Sequence, residues 1–255
     1  MESHRPFPRV GPFVWLFLQA ASVVASILLA FAIDAWWGNR RENEQKNTIL
    51  RAIREELTSY SERLDGERVY REASRSSAKA LLGAIASGHY DDAEKTLDRR
   101  LADLTWFSTV PDTSRPLEAL IQGGGLAAVE NQQLRTALID YPYSLAQMHS
   151  VSSQDIATFT EVVVPFLSGN ASLPQISNVS YEHSRPGDGY GADPGAMVPL
   201  GKTVDHSDLL LNREFAGLLM RKVFNDSDVL YNIDPAKTAT VELIRLIDSE
   251  LSETS

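Results

Sequence analysis

A stretch without a single charged side chain, from residue 10 to residue 33, constrains this chain more than any other feature of its sequence. More than half of residues 12–33 are Leu, Ile, Val or Phe. As a helix they would extend about 33 Å, slightly more than the ~30 Å hydrocarbon core of a bilayer. The sequence therefore predicts one transmembrane helix over residues 12–33, preceded by a short stub of residues 1–11.

The residues that flank this stretch support the same prediction. Pro12 suits the first turn of a helix, where a backbone N–H would have no partner. Trp15 near one end, and Trp36 and Trp37 beyond the other, belong to the residue type that is enriched at headgroup depth. Arg40 and its neighbour then end the apolar segment.

Two other interpretations of the apolar stretch stay open. Ala30-Phe31-Ala32 resembles a signal-peptide cleavage site, and Arg5 and Arg9 would supply the basic region before it. The apolar core of a signal peptide is only roughly 7–15 residues long, which favours an uncleaved anchor. A buried helix of a soluble protein is the third interpretation, although such helices seldom lack charge over this length.

One face of the predicted span carries small and polar residues. They are spaced by three or four residues, and they are Gln19, Ser22, Ser26, Ala30 and Asp34. Such a face lets two helices approach closely, which predicts a homodimer through Gln19, Ser22, Ser26 and Ala30. The alternative is that Ser and Ala are ordinary filler in a lipid-facing helix.

The positive-inside rule does not decide the orientation. Arg5, Arg9 and the N-terminal amine precede the span, and Arg40, Arg41 and Lys46 follow it. A short basic stub before an apolar run behaves as a signal anchor, and the chain has no cysteine. We therefore favour a domain outside the cytoplasm over a cytoplasmic one.

Composition limits what the rest of the chain can do. Only Glu2, Arg5 and Arg9 of the 34 acidic and 24 basic side chains precede residue 34, so the remainder has a net charge of −11. Phosphate backbones would repel such a domain, and we expect no nucleic-acid partner. The absence of cysteine excludes disulfides, thiolate metal sites and cysteine nucleophiles.

After the span, residues 34–255 predict a mainly α-helical domain, an antiparallel helical bundle with one long irregular loop. Apolar residues first recur at spacings of three and four, at Leu50, Ile53, Leu57, Tyr60 and Leu64. Glu67 and Arg71 occupy the next positions of this heptad seam, so the seam is predicted to end there. Arg54, Glu55 and Glu62 are predicted on the solvated face.

The middle of the chain predicts several shorter helices. Asp91 or Asp92 could cap a helix that carries Leu97, Leu101 and Leu104. A helix over residues 117–122 should stop at the glycines of residues 123–125.

Asn131 can cap the next helix, which is interrupted or bent at Pro142. The apolar stretch of residues 156–167 predicts another helix, although the β-branched residues 162–164 could form a strand.

Residues 168–203 are rich in glycine and proline and predict a long irregular excursion. Loops of this length are either functional or poorly ordered. Two helical patterns follow, one around Leu211 and Phe215 and one around Ile244 and Ile247. Residues 225–228 or 234–235 could divide them.

No motif for catalysis or cofactor binding stands out. The five histidines never pair at helical spacing, and HExxH, P-loop and GxGxxG patterns are absent. Ser76 and Lys79 match Ser-x-x-Lys, a pattern that chance readily produces. His206, between Asp205 and Asp208, is interpreted as part of a solvated helix cap. We therefore predict no catalytic, metal or cofactor site.

Several segments resemble a group of uncharacterised bacterial proteins with an N-terminal span. The resemblance lies in residues 33–40, with their Trp-Trp and Arg exit, in the Leu-Glu-rich residues 49–57, and in residues 120–125 and 131–138. A weaker likeness lies at residues 212–215. The resemblance implies a single-span inner-membrane protein and carries no activity.

These patterns favour a non-enzymatic, membrane-tethered helical module that binds a protein partner or senses the state of the envelope. One alternative is a membrane-bound enzyme whose site is assembled from dispersed Asp, Glu, His and Ser side chains. Another is an accessory subunit of a membrane complex, which would expose a wide apolar patch.

Overall fold

The computed structural model describes residues 12–90, 95–105, 115–182 and 203–253, and every regular element in these ranges is helical. The α-helices are α1 (Pro12–Ser87), α2 (Leu97–Leu104), α3 (Arg115–Gln122), α4 (Gln132–Thr158), α5 (Val164–Asn170), α6 (Leu173–Glu182) and α7 (Arg213–Glu253). Short 3₁₀ helices cover Gly125–Ala128 and Ser207–Leu211, and a π-helical turn covers Phe159–Val163. The predicted mainly α fold class is confirmed.

The chain divides into two compact units, Met1–Ile49 and Leu50–Ser255. In the first unit, α1 contains an 18-residue window with a mean hydropathy of 1.6, none of which is buried. Its large apolar side chains, such as Leu28 and Phe31, are exposed. This helix is long and apolar enough to cross a membrane, a property that signal sequences and core helices can share.

One further helix pair passes the same test of length and composition. It joins Gln132–Asn170 to Leu173–Val179 through a bend of 109°. Its apolar side chains include Leu134, Leu138 and Leu167, which are buried in the second unit. These residues belong to a protein core.

The second unit is organised by heptad seams on three helices. The seam of α1 does not end at Leu64, because Glu67, Arg71, Ser74, Ala78 and Leu81 continue the same spacing and are all buried. The prediction that the charged residues end the seam was wrong. Those charges enter the core because carboxylates and cations from other helices meet them there.

The seams of α4 and α7 follow the same spacing and also include polar residues. In α4 it comprises Leu134, Leu138, Tyr141, Leu145, Met148, Ser152 and Asp155. In α7 it comprises Phe215, Leu219, Lys222, Asp226, Val229, Ile233, Ala236, Thr240, Leu243, Ile247 and Glu250. The hydroxyl groups of Tyr141 and Thr240 are 3.0 Å apart and join the two seams.

Surface ion pairs link α1 to α7. Arg54 Nε lies 2.5 Å from Asp248 Oδ1, and Lys237 Nζ lies 2.5 Å from Asp65 Oδ1. Arg54 is half-exposed, in agreement with its predicted place on the solvated face, while Glu55 and Glu62 are exposed.

Besides the heptad seams, the core contains an apolar cluster where α2, α5 and α6 join α1 and α7. It is built around buried Leu81, Leu101, Leu167, Ile176 and Phe215. Phe215 stacks on Phe166, with ring centroids 5.8 Å apart. The short helix predicted from Leu97, Leu101 and Leu104 is α2, and it packs into this cluster.

The helix predicted over residues 156–167 is confirmed, and the alternative of a strand at residues 162–164 is excluded, since these residues lie in the π-helical turn and in α5. Two other predicted features of the chain are corrected. The predicted irregular excursion of residues 168–203 is helical over α6, and residues 183–202 lie outside the described ranges. Neither residues 225–228 nor residues 234–235 divide α7, because Asp226 and Ala236 belong to one buried seam.

The helix ends have local causes. Asn131 caps α4, as predicted, by accepting hydrogen bonds from the N–H groups of Gln133 and Leu134. The cap of α2 is Thr96, whereas Asp91 and Asp92 lie outside the described ranges. Helical geometry continues through Pro142.

The glycines of residues 123–125 end α3 as predicted, for reasons that differ between them. Gly124 has φ +73°, a left-handed conformation that other residues adopt only with strain. At Gly123, a Cβ atom would lie 2.7 Å from the carbonyl oxygen of Ala119. A left-handed backbone at Gly124 and a close approach at Gly123 thus account for two of the three glycines, and a Cβ atom at Gly125 would lie 2.7 Å from Leu120 Cδ1.

Candidate functional site

The most unusual group of side chains in the second unit is a layer of charges inside the helical core. We call Glu67 and Arg71 of α1, Asp155 of α4, and Lys222 and Asp226 of α7 the polar layer. None of the five is more than 7% exposed. Charged residues are almost never this deeply buried unless they are paired.

Arg71 is the centre of the polar layer. Its Nε donates to Glu67 at 2.7 Å, its Nη2 to Asp155 at 2.6 Å and its Nη1 to Asp226 at 2.8 Å. One planar guanidinium thus binds a carboxylate from each of three helices. Its donors point in fixed directions, so the contacts fix both distance and orientation.

Lys222 provides the second cation of the polar layer. Its ammonium group lies 2.8 Å from Asp226 Oδ1 and 3.6 Å from Asp155 Oδ1. Three carboxylates and two cations thus face one another inside the polar layer. Asp226 Oδ2 is buried without a hydrogen-bond partner, and so are the hydroxyls of Ser74 and Ser152.

Two opposing effects act on the pKa of Arg71. Burial favours the neutral form and works to lower this pKa, but the charges of Glu67, Asp155 and Asp226 outweigh burial and raise it above its ordinary value. Arg71 is therefore charged throughout the physiological pH range. Its charge matters in the layer because Arg71 is the one group there that Glu67, Asp155 and Asp226 all contact.

The geometry suits the polar layer to positioning helices, not to binding a ligand. Its side chains are closed off from solvent, and the three carboxylates are engaged by Arg71. A polar residue at a core position of a helical bundle selects one register, because any slip leaves it unpaired among apolar side chains. We therefore expect the polar layer to hold α1, α4 and α7 in one register.

A second buried polar group surrounds His206, which was predicted to be solvated. His206 is only 3% exposed, so that prediction was wrong. Its Nδ1 lies 2.6 Å from Asp98 Oδ1, and its Nε2 accepts the N–H of Ser172 at 3.0 Å. Because Nε2 accepts the backbone N–H of Ser172, the Nδ1–H group is left to donate to the Asp98 carboxylate.

Gln175 extends this second group. Its amide nitrogen donates to Asp98 Oδ2 at 2.5 Å and to the carbonyl of Val204 at 3.0 Å, while its oxygen accepts the N–H of Val204 at 2.9 Å. The group ties the chain before α7 to α2 and α6. Both imidazole nitrogens of His206 are used in these contacts, so His206 is a structural tie here.

A third polar group joins α2 to α1, beside an open cleft of about 480 Å³. Buried Asp103 accepts a hydrogen bond from the Ser77 hydroxyl at 2.5 Å and pairs with Lys95 at 2.6 Å. Small residues such as Gly83 form one wall of the cleft, and Ser87, His89, Tyr90 and Arg100 supply polar groups. This cleft is one concave surface among the described residues of the second unit.

The other motifs weighed in the sequence are not brought together. Ser76 and Lys79 are exposed on α1, and Glu55 is exposed on the same helix. His89 is exposed at the end of α1, and His149 is half-buried on α4. Among the described residues, no group of three or more His, Asp or Glu side chains could hold a metal ion.

On the predicted span, Gln19, Ser22, Ser26, Ala30 and Asp34 are exposed. The Ser26 hydroxyl donates to the backbone carbonyl of Ser22 at 2.8 Å. This bond satisfies the hydroxyl within its own helix. The Ser26 hydroxyl is therefore not left to donate to a second helix, and what this face offers a partner is small side chains that allow close packing.

Sequence reasoning missed the polar layer, although its signal is present. The spacing of three and four residues continues from Leu64 through Glu67, Arg71 and Ser74 to Ala78. A search that accepts only apolar residues at the seam positions ends at the first charged residue. A search that keeps the spacing, and also accepts charged residues that could pair with each other, would have included these positions.

Comparison with models of known families, with curated proteins and with solved structures found no match to this chain. The resemblance to a group of bacterial single-span proteins therefore stays a prediction.

Proposed function

We propose that the protein is a single-pass membrane protein whose helical domain is a membrane-tethered interaction module without catalytic activity. The observation that carries this proposal is the exposed apolar window of α1. A contiguous apolar surface of this size requires a partner, and a bilayer of about 30 Å matches its length. An uncleaved anchor explains the window better than a signal peptide, because the apolar run exceeds a signal core.

We infer further that the second unit is an antiparallel helical bundle. Residue numbers fall along α7 as they rise along α1, from the pair Arg54 and Asp248 to the pair Arg71 and Asp226. The polar layer supports an interaction role, since fixed register keeps the outer faces of the helices in a constant arrangement. A surface of constant shape is what a protein partner can recognise.

The outer face of α7 is the best candidate for that recognition. Met220, Phe224 and Tyr231 are spaced by four and seven residues, so they lie on one side of the helix, and all three are exposed. Aromatic residues and methionine are enriched in protein interfaces. A role as a subunit of a membrane complex would use the same surface.

The cleft beside α2 supports the second candidate, a membrane-bound enzyme. His89 and Arg100 are a titratable group and a fixed cation at one concave surface. A small anionic ligand would fit this chemistry. Conversion of such a ligand by the purified protein, abolished by His89→Gln, would replace the interaction module as our conclusion.

The anchor is tested first by extraction of membranes at alkaline pH and by the intact mass of the protein. We expect the full chain in the membrane pellet, with its N-terminal segment retained. Val24→Arg combined with Leu28→Arg should release it, because two central arginines cost about 5–7 kcal/mol, as much as the roughly 4–7 kcal/mol that the Leu, Ile, Val and Phe residues of the span contribute to insertion. The matched control is Val69→Arg, at an exposed position in the second unit, and this variant should stay in the membrane pellet.

A shortened mass in the soluble fraction would instead identify a cleaved signal peptide. Retention of the Val24→Arg and Leu28→Arg double variant in the pellet would show that another surface holds the protein to membranes. Either result would overturn the proposed anchor.

Orientation is tested with a C-terminal alkaline phosphatase fusion and a parallel fusion to a fluorescent protein that matures only in the cytoplasm. We propose a periplasmic domain in the inner membrane and expect phosphatase activity. Fluorescence alone would place the domain in the cytoplasm and direct the search for partners there.

A further inference from the structure

The helix segment directly after the apolar window carries an ordered series of exposed side chains. Trp36 and Trp37 are 56% and 60% exposed, with ring centroids 5.2 Å apart. The Arg40 guanidinium carbon lies 5.8 Å from the centre of the Trp36 ring. Arg40 Nε in turn donates to the Glu44 carboxylate at 3.1 Å. An aromatic ring, a cation and an anion thus follow one another along one helix face.

The spacing of this series matches the layers of a bilayer surface. The hydrocarbon core is about 30 Å thick and the whole bilayer about 40–45 Å, which leaves roughly 5–8 Å of headgroups on each side. Arg40 is four residues beyond Trp36, or about 6 Å along the helix, and Glu44 is about 12 Å beyond it. With Trp36 at the edge of the hydrocarbon, Arg40 lies among the headgroups and Glu44 lies in water.

We propose that Trp36 and Arg40 form a binding site for the phosphate group of a phospholipid. This inference rests on the proposed membrane anchor and deepens it. The indole of Trp36 lies at the hydrocarbon edge, and the Arg40 guanidinium, held over that ring, donates to the phosphate. Its Nε–H is engaged by Glu44, and its terminal nitrogens carry the four other donors, in the planar arrangement that suits phosphate.

The charges of this segment define the class of lipid. Residues 34–46 contain three acidic and three basic side chains, Asp34, Glu42 and Glu44 against Arg40, Arg41 and Lys46. A segment without net charge does not select lipids by their overall charge. The site therefore takes the phosphate that all phospholipids share. Glu44 is its competitor, because a carboxylate and a phosphate seek the same guanidinium.

The test measures the depth of Trp36 in vesicles. Trp15→Phe, Trp37→Phe and Trp106→Phe leave Trp36 as the single tryptophan of the full-length protein. The protein is reconstituted into phosphatidylcholine vesicles whose lipids carry bromine either near the headgroup or near the chain end. We expect the fluorescence of Trp36 to be quenched most by the shallow bromines.

Three variants in this background separate a phosphate site from general interface binding. Arg40→Gln should shift the quenching of Trp36 toward the chain-end bromines, because the contact that holds the ring at the edge is lost. Arg41→Gln, the adjacent cation, is the matched control and should leave the profile unchanged. Glu44→Gln should strengthen the shallow preference by removing the competing carboxylate.

Equal shifts with Arg40→Gln and Arg41→Gln, or no shift with either, would overturn the site. The site would also be overturned if only an aqueous quencher, and no brominated lipid, quenched Trp36 while the protein stayed in the vesicles. That result would leave the proposed anchor intact. A shallow profile found only in anionic vesicles would overturn the claim that any phospholipid serves. Failure of the full-length protein to enter vesicles would refute the proposed anchor itself.

Discussion

Replacing Arg71 by methionine should destabilise the helical domain more than any surface substitution. Methionine has a similar length and leaves the apolar neighbours packed, so the change removes mainly the charge. Glu67, Asp155 and Asp226 would then lose the cation that all three of them contact, within a layer that is at most 7% exposed. Removing one partner of a buried ion pair typically costs about 3–5 kcal/mol.

That loss is large compared with the stability of a domain, which is about 5–15 kcal/mol. In a domain of this size each kcal/mol lowers the melting temperature by about 2–4 °C, so we expect a decrease of roughly 6–20 °C. The assay is thermal unfolding of the purified full-length protein in detergent, followed by circular dichroism at neutral pH.

The matched control is Arg54→Met, which breaks an ion pair of the same chemistry on the surface. The Arg54 and Asp248 side chains are 43% and 47% exposed, and such pairs contribute about 0–1 kcal/mol. A second variant replaces all five charged residues of the polar layer by Leu or Met. It should recover the loss caused by Arg71→Met, because apolar substitutes for a buried ion network are often neutral or stabilising.

Equal effects of Arg71→Met and Arg54→Met would refute the assignment of the polar layer to the core. If the all-apolar variant melted as low as Arg71→Met, the loss would not come from unpaired carboxylates. If the polar layer fixes the register of the helices, the all-apolar variant should be stable but should unfold with lower cooperativity, because several registers become similar in free energy.

Three further predictions follow from other parts of the molecule. We expect the full-length protein to self-associate in detergent through the face that carries Ser22 and Ser26, and Ser22→Leu combined with Ser26→Leu to abolish this, because larger side chains prevent close helix contact. Burial is the main cause that raises the pKa of Tyr141 from 10.0 to about 12. The neutral phenol therefore contributes stability that is complete below about pH 10 and is lost as the pH rises toward 12, up to about 2.7 kcal/mol. Tyr141→Phe should remove this alkaline decrease in the urea midpoint. Gly124→Ala should cost roughly 1–2 kcal/mol in thermal unfolding, because Gly124 has φ +73°. Gly217→Ala, in an exposed helical position with open space around it, should gain about 0.5–1 kcal/mol.

Each of these has a clear opposite outcome. Self-association that survives the serine double variant, but is lost when Val23 and Ile27 are changed to alanine, would move the dimer to the other face. An alkaline decrease that persists in Tyr141→Phe would assign it to another titrating group. Gly124→Ala with wild-type stability would show that the left-handed turn is not required.

Local features of the chain were readable from the sequence because their causes are local. The apolar window, the cap at Asn131 and the end of α3 at Gly124 depend on the residues themselves and on their immediate neighbours. Hydropathy over one helix, a side-chain acceptor at a helix start and a left-handed backbone need no distant partner. The division of α7 at Pro235 was predicted from the same local rules and was wrong, since the buried seam on both sides of Pro235 holds the helix together.

The polar layer and the His206 tie were decided by the tertiary structure. Arg71 meets carboxylates that lie 84 and 155 residues away in the chain, and His206 meets Asp98 at a separation of 108 residues. By sequence alone each is a charged or titratable residue that water would solvate. Whether such a residue enters a core depends on partners that only folding brings within hydrogen-bonding distance, because an unpaired charge in the interior costs more free energy than its burial returns.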